Sequence, residues 1–198
     1  MASQSLRALY ERLAASVSAG QWWPAQTRYE ILLGAVLTQN TAWKNVEVAL
    51  ANLRHAGALQ PEAIAALEPE ALGEMIRPSG YWRVKTRYLQ ALTAWFVEND
   101  GEAPRFSDAQ LRASLLQVRG VGEETADDIM LYAYDRPVFI YDTYARRALA
   151  DAGLGEFRTY REAKRALDAE VANAEFTVAE LAHFHGLIVE AGKQHTSS

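Results

Sequence analysis

Apolar residues recur at three- and four-residue spacing along nearly the whole chain, and no alternating apolar and polar run bounded by hairpin turn residues is found. This pattern predicts an all-α protein. Helices are predicted near residues 5–17, 27–38, 43–55, 61–66, 69–76, 82–98, 108–117, 123–134, 142–151, 159–172 and 177–192. Prolines support these boundaries, because a missing amide hydrogen does least harm at or just outside a helix end. The prolines at such positions are Pro24, Pro61, Pro69, Pro78 and Pro104.

The length of 198 residues and the 49% hydrophobic content suffice for a substantial core in one compact body or two small lobes. No run approaches the roughly 20 consecutive apolar residues that a membrane-spanning helix needs. The first residues, MASQSLRALYERL, predict an amphipathic helix without a signal-cleavage pattern. We therefore expect a cytoplasmic protein with no membrane association.

The chain has no cysteine, which excludes disulfides, thiolate nucleophiles, zinc ribbons and cysteine-ligated iron-sulfur clusters. No metal and no cofactor are expected. The formal net charge of -5 argues against a uniformly basic nucleic-acid-binding domain. Net charge, however, does not say where the charges lie.

The most informative stretch runs from residue 115 to residue 149 and contains Val118-Arg119-Gly120-Val121-Gly122 between two predicted helices. Two glycines one residue apart allow a tight turn whose amide hydrogens can all point outward. Such a turn, followed by a helix start at Glu123, is suited to bind a DNA phosphate without reading sequence. The alternative is an ordinary helix-helix corner, which the Gly-Val-Gly segment alone favours.

The longer pattern is more specific than the turn. The turn is followed by Thr125-Ala126, an apolar segment and, about twenty residues on, Tyr141-Asp142-Thr143. This arrangement resembles the helix-hairpin-helix DNA glycosylases of the endonuclease III superfamily. The resemblance implies that Asp142 is the catalytic carboxylate, which is compatible with a role as a helix N-cap. It implies a DNA-binding hairpin formed by Arg119, Gly120, Val121, Gly122, Glu123 and Thr125.

Two departures from the endonuclease III pattern narrow the choice of subfamily. Where the members that also cut the DNA backbone carry a nucleophilic lysine, this chain has Glu124, and a carboxylate cannot form a Schiff base. The four cysteines that hold a cluster in endonuclease III are missing as well. A monofunctional glycosylase is therefore expected. Glu124 is retained as a member of the catalytic site that adds negative potential, with simple exposure to solvent as the alternative.

Further segments resemble the 3-methyladenine DNA glycosylases built on the endonuclease III scaffold. They are Trp22-Trp23-Pro24, residues 30–41, residues 77–81 and residues 184–190. The resemblance implies a base pocket of Trp22, Trp23, Pro24 and Trp43. N3- and N7-alkylated purines are cationic, so electron-rich rings attract them by dispersion and cation-π interaction. The alternative for any one tryptophan is a place in the core.

Related enzymes insert a polar side chain into the gap that the flipped base leaves, and here Gln39 or Asn40 occupies that position. The alternative is a buried amide bonded to backbone. Phosphates also require cations, and the candidates for a basic surface are Lys44, Arg77, Arg83, Lys85, Arg87, Arg146 and Arg147.

The resemblance implies two helical lobes with a DNA cleft between them, one of residues near 25–138 and one of residues 1–24 and 139–198. The expected partner is double-stranded DNA containing damaged bases, bound by a monomer. The alternatives are a glycosylase for oxidised or mismatched bases on the same fold, and a non-catalytic helix-hairpin-helix DNA-binding module.

The C-terminal segment LAHFHGLIVEAGKQH, residues 181–195, lies where related enzymes hold the cluster. Its helical spacing places Leu181, Phe184 and Ile188 on one face, so helix packing replaces the cluster. His185 and Lys193 are predicted to be structural members of this packing. If Lys193 is buried it must be paired, neutralised or modified, and the alternative is a solvated lysine near a helix C-terminus.

Overall fold

The structure is a computed structural model and describes residues 5–20 and 23–196. Within these ranges the chain forms α-helices and no strand, which confirms the all-α prediction. The helices are α1 Leu6–Ser16, α2 Arg28–Leu37, α3 Trp43–His55, α4 Pro61–Ala66, α5 Pro69–Ile76, α6 Trp82–Asn99, α7 Asp108–Leu116, α8 Glu123–Tyr134, α9 Thr143–Asp151, α10 Tyr160–Asn173 and α11 Val178–Thr196. Two short 3₁₀ turns, Arg77–Ser79 and Ala103–Arg105, each contain a proline and were not predicted.

The helix starts follow from local side-chain chemistry. Hydroxyl or carboxylate side chains accept an amide hydrogen of the first turn and so satisfy a donor that the helix leaves unpaired. The residues with this role are Ser5, Thr27, Ser107, Asp142, Thr159 and Thr177. Helices α4 and α5 instead begin with proline, whose ring fixes a helical φ and lacks the amide hydrogen.

The contacts divide the chain into two compact units. We call Ala25–Tyr134 the hairpin unit, and Met1–Pro24 together with Asp135–Ser198 the carboxylate unit. The second boundary falls where α8 ends and Asp135 adopts a left-handed backbone conformation, with φ of 52°. The sequence-based boundary lies four residues later, at residue 138.

The core of the hairpin unit is built around α2. The residues of this helix from Tyr29 to Leu37 are buried except for the partly exposed Ile31, and the helix packs against α6 and α8. Tyr29 lies against Phe96 with ring centroids 5.0 Å apart, and its hydroxyl is 2.6 Å from the hydroxyl of Thr93. A helix that is apolar on nearly all faces must lie inside its unit, and α2 does.

The core of the carboxylate unit is built around α11, which packs against α1 and α9. Phe184 is fully buried, and the rings of Tyr10, Phe139 and Phe176 surround it at centroid distances of 5.3 to 5.6 Å. Across residues 5–20 and 23–196, no helix combines the length and the apolar character that crossing a bilayer would require.

Candidate nucleic-acid interface and carboxylate centre

The hairpin turn is residues 118–122, between α7 and α8. Val118 and Val121 are buried, whereas Arg119 and Gly122 are exposed. The two helices are joined by Arg112, whose Nε donates to the buried carboxylate of Asp127 at 2.7 Å. The apolar residues of the turn therefore anchor it in the hairpin unit, and its polar tip faces solvent.

The amide hydrogens of this turn do not all point outward, so that part of the prediction is wrong. The amide of Val121 donates to the carbonyl of Val118 at 3.0 Å, which closes the turn. The amides of Gly120 and Gly122 donate to no protein acceptor in the described part of the chain. The amides of Gly120 and Gly122, on either side of Val121, therefore remain available for the predicted phosphate site.

Gly120 is required by two independent constraints. Its φ of 91° is a conformation that residues with a Cβ rarely adopt. A Cβ at this position would also lie 2.1 Å from Cγ of Tyr88, because the Tyr88 ring from α6 packs against the turn. At Gly122, in contrast, a Cβ would meet no atom within 4 Å. Sequence reasoning missed the support from Tyr88, since nothing in a sequence links a helical tyrosine to a turn 32 residues later.

Gln39 lies beside the hairpin turn. Its Nε2 donates to the carbonyl of Gly120 and to Oγ1 of Thr125, both at 2.9 Å. Gln39 therefore joins the loop after α2 to the turn and to the first turns of α8. Asn40 is exposed and has a left-handed φ of 53°. The gap-filling role stays a prediction for both residues.

Left-handed backbone at residues other than glycine occurs in three of the four segments that resemble the 3-methyladenine DNA glycosylases. The residues are Trp23 with φ of 58°, Asn40, and Tyr81 with φ of 46°. For large side chains this conformation costs roughly 1 to 2 kcal/mol. Tyr81 is also 70% exposed, which is unusual for an aromatic residue. Strained, exposed residues of this kind are found preferentially at functional sites.

Lys85 is buried, so its predicted place in a basic surface is wrong. Its Nζ donates to the carbonyls of Leu37 and Ser79, both at 2.7 Å. It thereby joins the end of α2 to the 3₁₀ turn that precedes Tyr81. Burial lowers the pKa of Lys85 to about 8, while the two carbonyl acceptors favour its charged form.

Two other members of the predicted basic surface make contacts within the protein. Arg77 is exposed but paired with Glu74, and Arg146 donates from Nη1 to the carbonyl of Tyr141 at 2.8 Å. The remaining candidates are exposed: Lys44, Arg83, Arg87 and Arg147.

Asp142 caps the N-terminus of α9. Its Oδ1 accepts the amide hydrogen of Ala145 at 2.7 Å, and its side chain is 15% exposed. The other oxygen, Oδ2, lies 3.6 Å from Nε2 of the buried His185. The carboxylate thus lies at the positive end of the α9 helix dipole. Reading Asp142 as an N-cap was thus correct, and the predicted catalytic role remains compatible with it.

The predicted pocket residues are divided between the two units. Trp23 is half-buried and Pro24 exposed in the carboxylate unit, and Trp22 lies outside the described residues. Trp43 begins α3 in the hairpin unit, is half-buried, and donates from Nε1 to Glu47 at 3.1 Å. Stacking on a base stays a prediction for these residues.

The two glutamates at the start of α8 lie in different surroundings. Glu123 is within 3.7 Å of Arg112, which places it toward α7 and makes it part of the hairpin scaffold. Glu124 is exposed. A catalytic contribution from Glu124 stays a prediction.

The C-terminal helix packs through its predicted apolar face. Leu181, Phe184 and Ile188 are buried, while Lys193 is 43% exposed and pairs with Glu190 at 2.7 Å. The exposure of Lys193 thus matches the alternative of a solvated lysine better than that of a buried ammonium. A structural role for His185 and Lys193 in place of a cluster stays a prediction.

Residues 33–173 match a family model described as the HhH-GPD superfamily base excision DNA repair protein. A protein of Methanocaldococcus jannaschii named as a DNA repair glycosylase is 40% identical over 179 residues, which cover 87% of this chain and 80% of that protein. Endonuclease III of Sulfolobus acidocaldarius is 27% identical over 173 residues, or 86% of this chain and 74% of that protein.

Solved structures give the same picture. The H. pylori 3-methyladenine DNA glycosylase bound to 1,N6-ethenoadenine is similar with a TM-score of 0.74 and 32% identity, covering 96% of both chains. A trapped covalent intermediate of endonuclease III with DNA is similar with a TM-score of 0.80 and 22% identity, covering 100% of this chain and 90% of that one. At 22% identity the second likeness concerns the fold alone.

Proposed function

Since the chain belongs to the HhH-GPD superfamily of base excision DNA repair proteins and is a DNA glycosylase, we propose that it hydrolyses the glycosidic bond of alkylated purines without cutting the DNA backbone. The glycosylase assignment removes the alternative of a non-catalytic DNA-binding module. The substrate and the absence of lyase chemistry are the two parts of the proposal that need argument.

The observation that carries the hydrolytic part is the combination of Asp142 at the start of α9 with Glu124 at the start of α8. Asp142 retains a carboxylate oxygen that the helix cap does not use. As an anion it stabilises the positive charge that develops on the sugar as the base departs, and it orients or deprotonates the water that attacks the sugar. Glu124 cannot form the Schiff base that a lysine at this position would form. Hydrolysis then leaves an intact abasic site.

Alkylated purines suit this chemistry because they are already good leaving groups, so the enzyme needs no strong general acid. Their positive charge is attracted to aromatic faces. Trp23 and Trp43 are both half-buried, which leaves part of each ring accessible. The likeness at 32% identity to a 3-methyladenine glycosylase supports the same substrate class.

DNA binding in this proposal rests on the hairpin unit. The amides of Gly120 and Gly122 contact a phosphate, and the exposed side chains of Asn40 and Tyr81 contact the bases near the flipped nucleotide. Gln39 and Lys85 hold the loops that carry these residues in place. Extruding a base costs a few kcal/mol, so fixed loops that fill the gap make flipping more favourable.

The test is incubation of the protein with duplex DNA treated with dimethyl sulfate, followed by chromatography of the released bases. We expect 3-methyladenine or 7-methylguanine in the released fraction. Parallel duplexes with 8-oxoguanine or a G·T mismatch report on the other substrate classes of this fold. Release from those duplexes, without release from methylated DNA, would reject the alkylated-purine assignment.

A further inference from the structure

The two oxygens of the Asp142 carboxylate lie in different surroundings. Oδ1 accepts the amide hydrogen of Ala145 at 2.7 Å and thereby caps α9. Oδ2 lies 3.6 Å from Nε2 of His185. Because the helix cap fixes only Oδ1, the imidazole is placed to act on the oxygen that remains for chemistry.

Packing fixes the position of His185. The residue is 7% exposed, and its neighbours Phe184 and Leu187 are fully buried. Seven residues later, two turns along the same face of α11, Gly192 lies against the ring of Tyr144. A Cβ at Gly192 would lie 2.2 Å from Cδ1 of Tyr144, so this close approach sets how α9 and α11 pack. The imidazole therefore approaches the start of α9 from a fixed position.

We propose that His185 is a positioning residue that acts on the reaction through Asp142. An N–H at Nε2 is present in the protonated imidazole and in one neutral tautomer, and it faces Oδ2. A donor at this position limits rotation of the carboxylate group. The inference rests on the proposed function and gives His185 a part beyond the structural role that the sequence suggests.

The separation of 3.6 Å is longer than a direct hydrogen bond, which keeps Oδ2 accessible to the sugar and to water. Contacts of this kind tighten when substrate binds, because free enzymes often hold catalytic groups at long distances. A displacement of a reacting group by about 1 Å lowers a rate by about 10²-fold. We take that value as the expected effect of losing His185.

The test compares His185→Leu and His185→Gln with wild type in single-turnover excision from dimethyl sulfate-treated duplex DNA. We expect a rate about 10²-fold lower for leucine, partial recovery for glutamine, whose amide is also a donor, and unchanged affinity for a duplex with a tetrahydrofuran abasic analogue. His183→Ala is the matched control, since His183 is exposed on the same helix and bonds Tyr10 at 3.1 Å. Its rate should equal that of wild type.

The decisive comparison is made in an Asp142→Asn background. If His185 acts through Asp142, adding His185→Leu there lowers the rate no further. An undiminished rate for His185→Leu, or a full additional loss in the Asp142→Asn background, would overturn the proposal. If the leucine variant does not fold, His185→Asn replaces it in both comparisons, because its amide is too short to reach Oδ2. Failure of the proposed function is distinguished from this outcome, because the wild-type protein itself would then release no methylated base.

Discussion

The hairpin turn, residues 118–122, and the carboxylate centre, which is Asp142 with the groups that contact it, are built in opposite ways. The turn is supported from several elements, by Gln39 after α2, Tyr88 on α6 and the packing of α8, and it offers backbone amides. The centre offers one carboxylate, held by one amide and faced by His185. In the proposed function, DNA binding is therefore distributed over a scaffold, whereas the chemistry depends mainly on one carboxylate. Substitutions in the two regions should fail in different ways.

The largest effect on activity is expected for Asp142→Asn. The amide is nearly isosteric with the carboxylate and still accepts a hydrogen bond from Ala145, but it carries no charge. We expect single-turnover excision of methylated purines to fall by at least about 10²- to 10³-fold, with the melting temperature almost unchanged. The affinity for an abasic-analogue duplex should remain within a few-fold of wild type. Undiminished base release would remove Asp142 from the mechanism.

In the hairpin turn, Gly120→Ala should act on stability. The new methyl group meets the Tyr88 ring in a left-handed backbone conformation, so we expect the free energy of unfolding to fall by about 2 to 4 kcal/mol. Denaturant unfolding measures this change. The matched control is Gly122→Ala, where space is open and φ is not positive. That variant should keep its stability but bind duplex DNA more weakly, because the methyl group lies beside the amides that we propose to bind a phosphate. Equal stability losses in both variants would contradict this account of the turn.

Lys85 should give the scaffold a pH dependence. Its pKa is about 8 in the folded state and 10.5 when unperturbed. Between these pH values the unfolded chain binds more protons than the folded one, so the contribution of Lys85 to the free energy of unfolding rises with pH. Lys85→Met leaves two carbonyls without their donor and should cost about 1 to 3 kcal/mol at neutral pH. The stability gap between wild type and this variant should widen from pH 8 to 10.5, by at most about 3 kcal/mol.

Urea unfolding at several pH values tests the prediction for Lys85. Burial raises the pKa of Tyr29 to about 12, and because this tyrosine is present in both proteins its titration cancels in the difference. A stability gap that stays constant across this range would mean that burial does not lower the pKa of Lys85.

The smallest effects are expected at the tryptophans. If each ring stacks on the base, Trp23→Ala and Trp43→Ala should each lower kcat/KM for cationic bases by the equivalent of about 1 to 3 kcal/mol. The comparison of methylated DNA with a duplex containing a neutral substrate base separates cation recognition from general DNA binding. Wild-type rates in both variants would place the base pocket elsewhere.

Helical periodicity and capping residues suffice to predict the fold class and the helices of this chain, because both signals are local. The predicted start of α8 at Glu123 and the cap at Asp142 are examples. The tertiary partners are not local: Gln39 and Thr125 are 86 residues apart, and no pattern indicates their hydrogen bond. Lys85 is predicted to be a surface cation because the sequence around a helical lysine does not show whether its side chain faces solvent or backbone carbonyl groups.

The central claim is hydrolysis by Asp142 without an amine nucleophile, and borohydride trapping on methylated duplex DNA tests it most directly. A Schiff base between an enzyme amine and the sugar would be reduced to a stable covalent adduct. The account predicts released methylated base, an unbroken strand carrying an abasic site, and no covalent complex. A covalent enzyme-DNA adduct in good yield would contradict it.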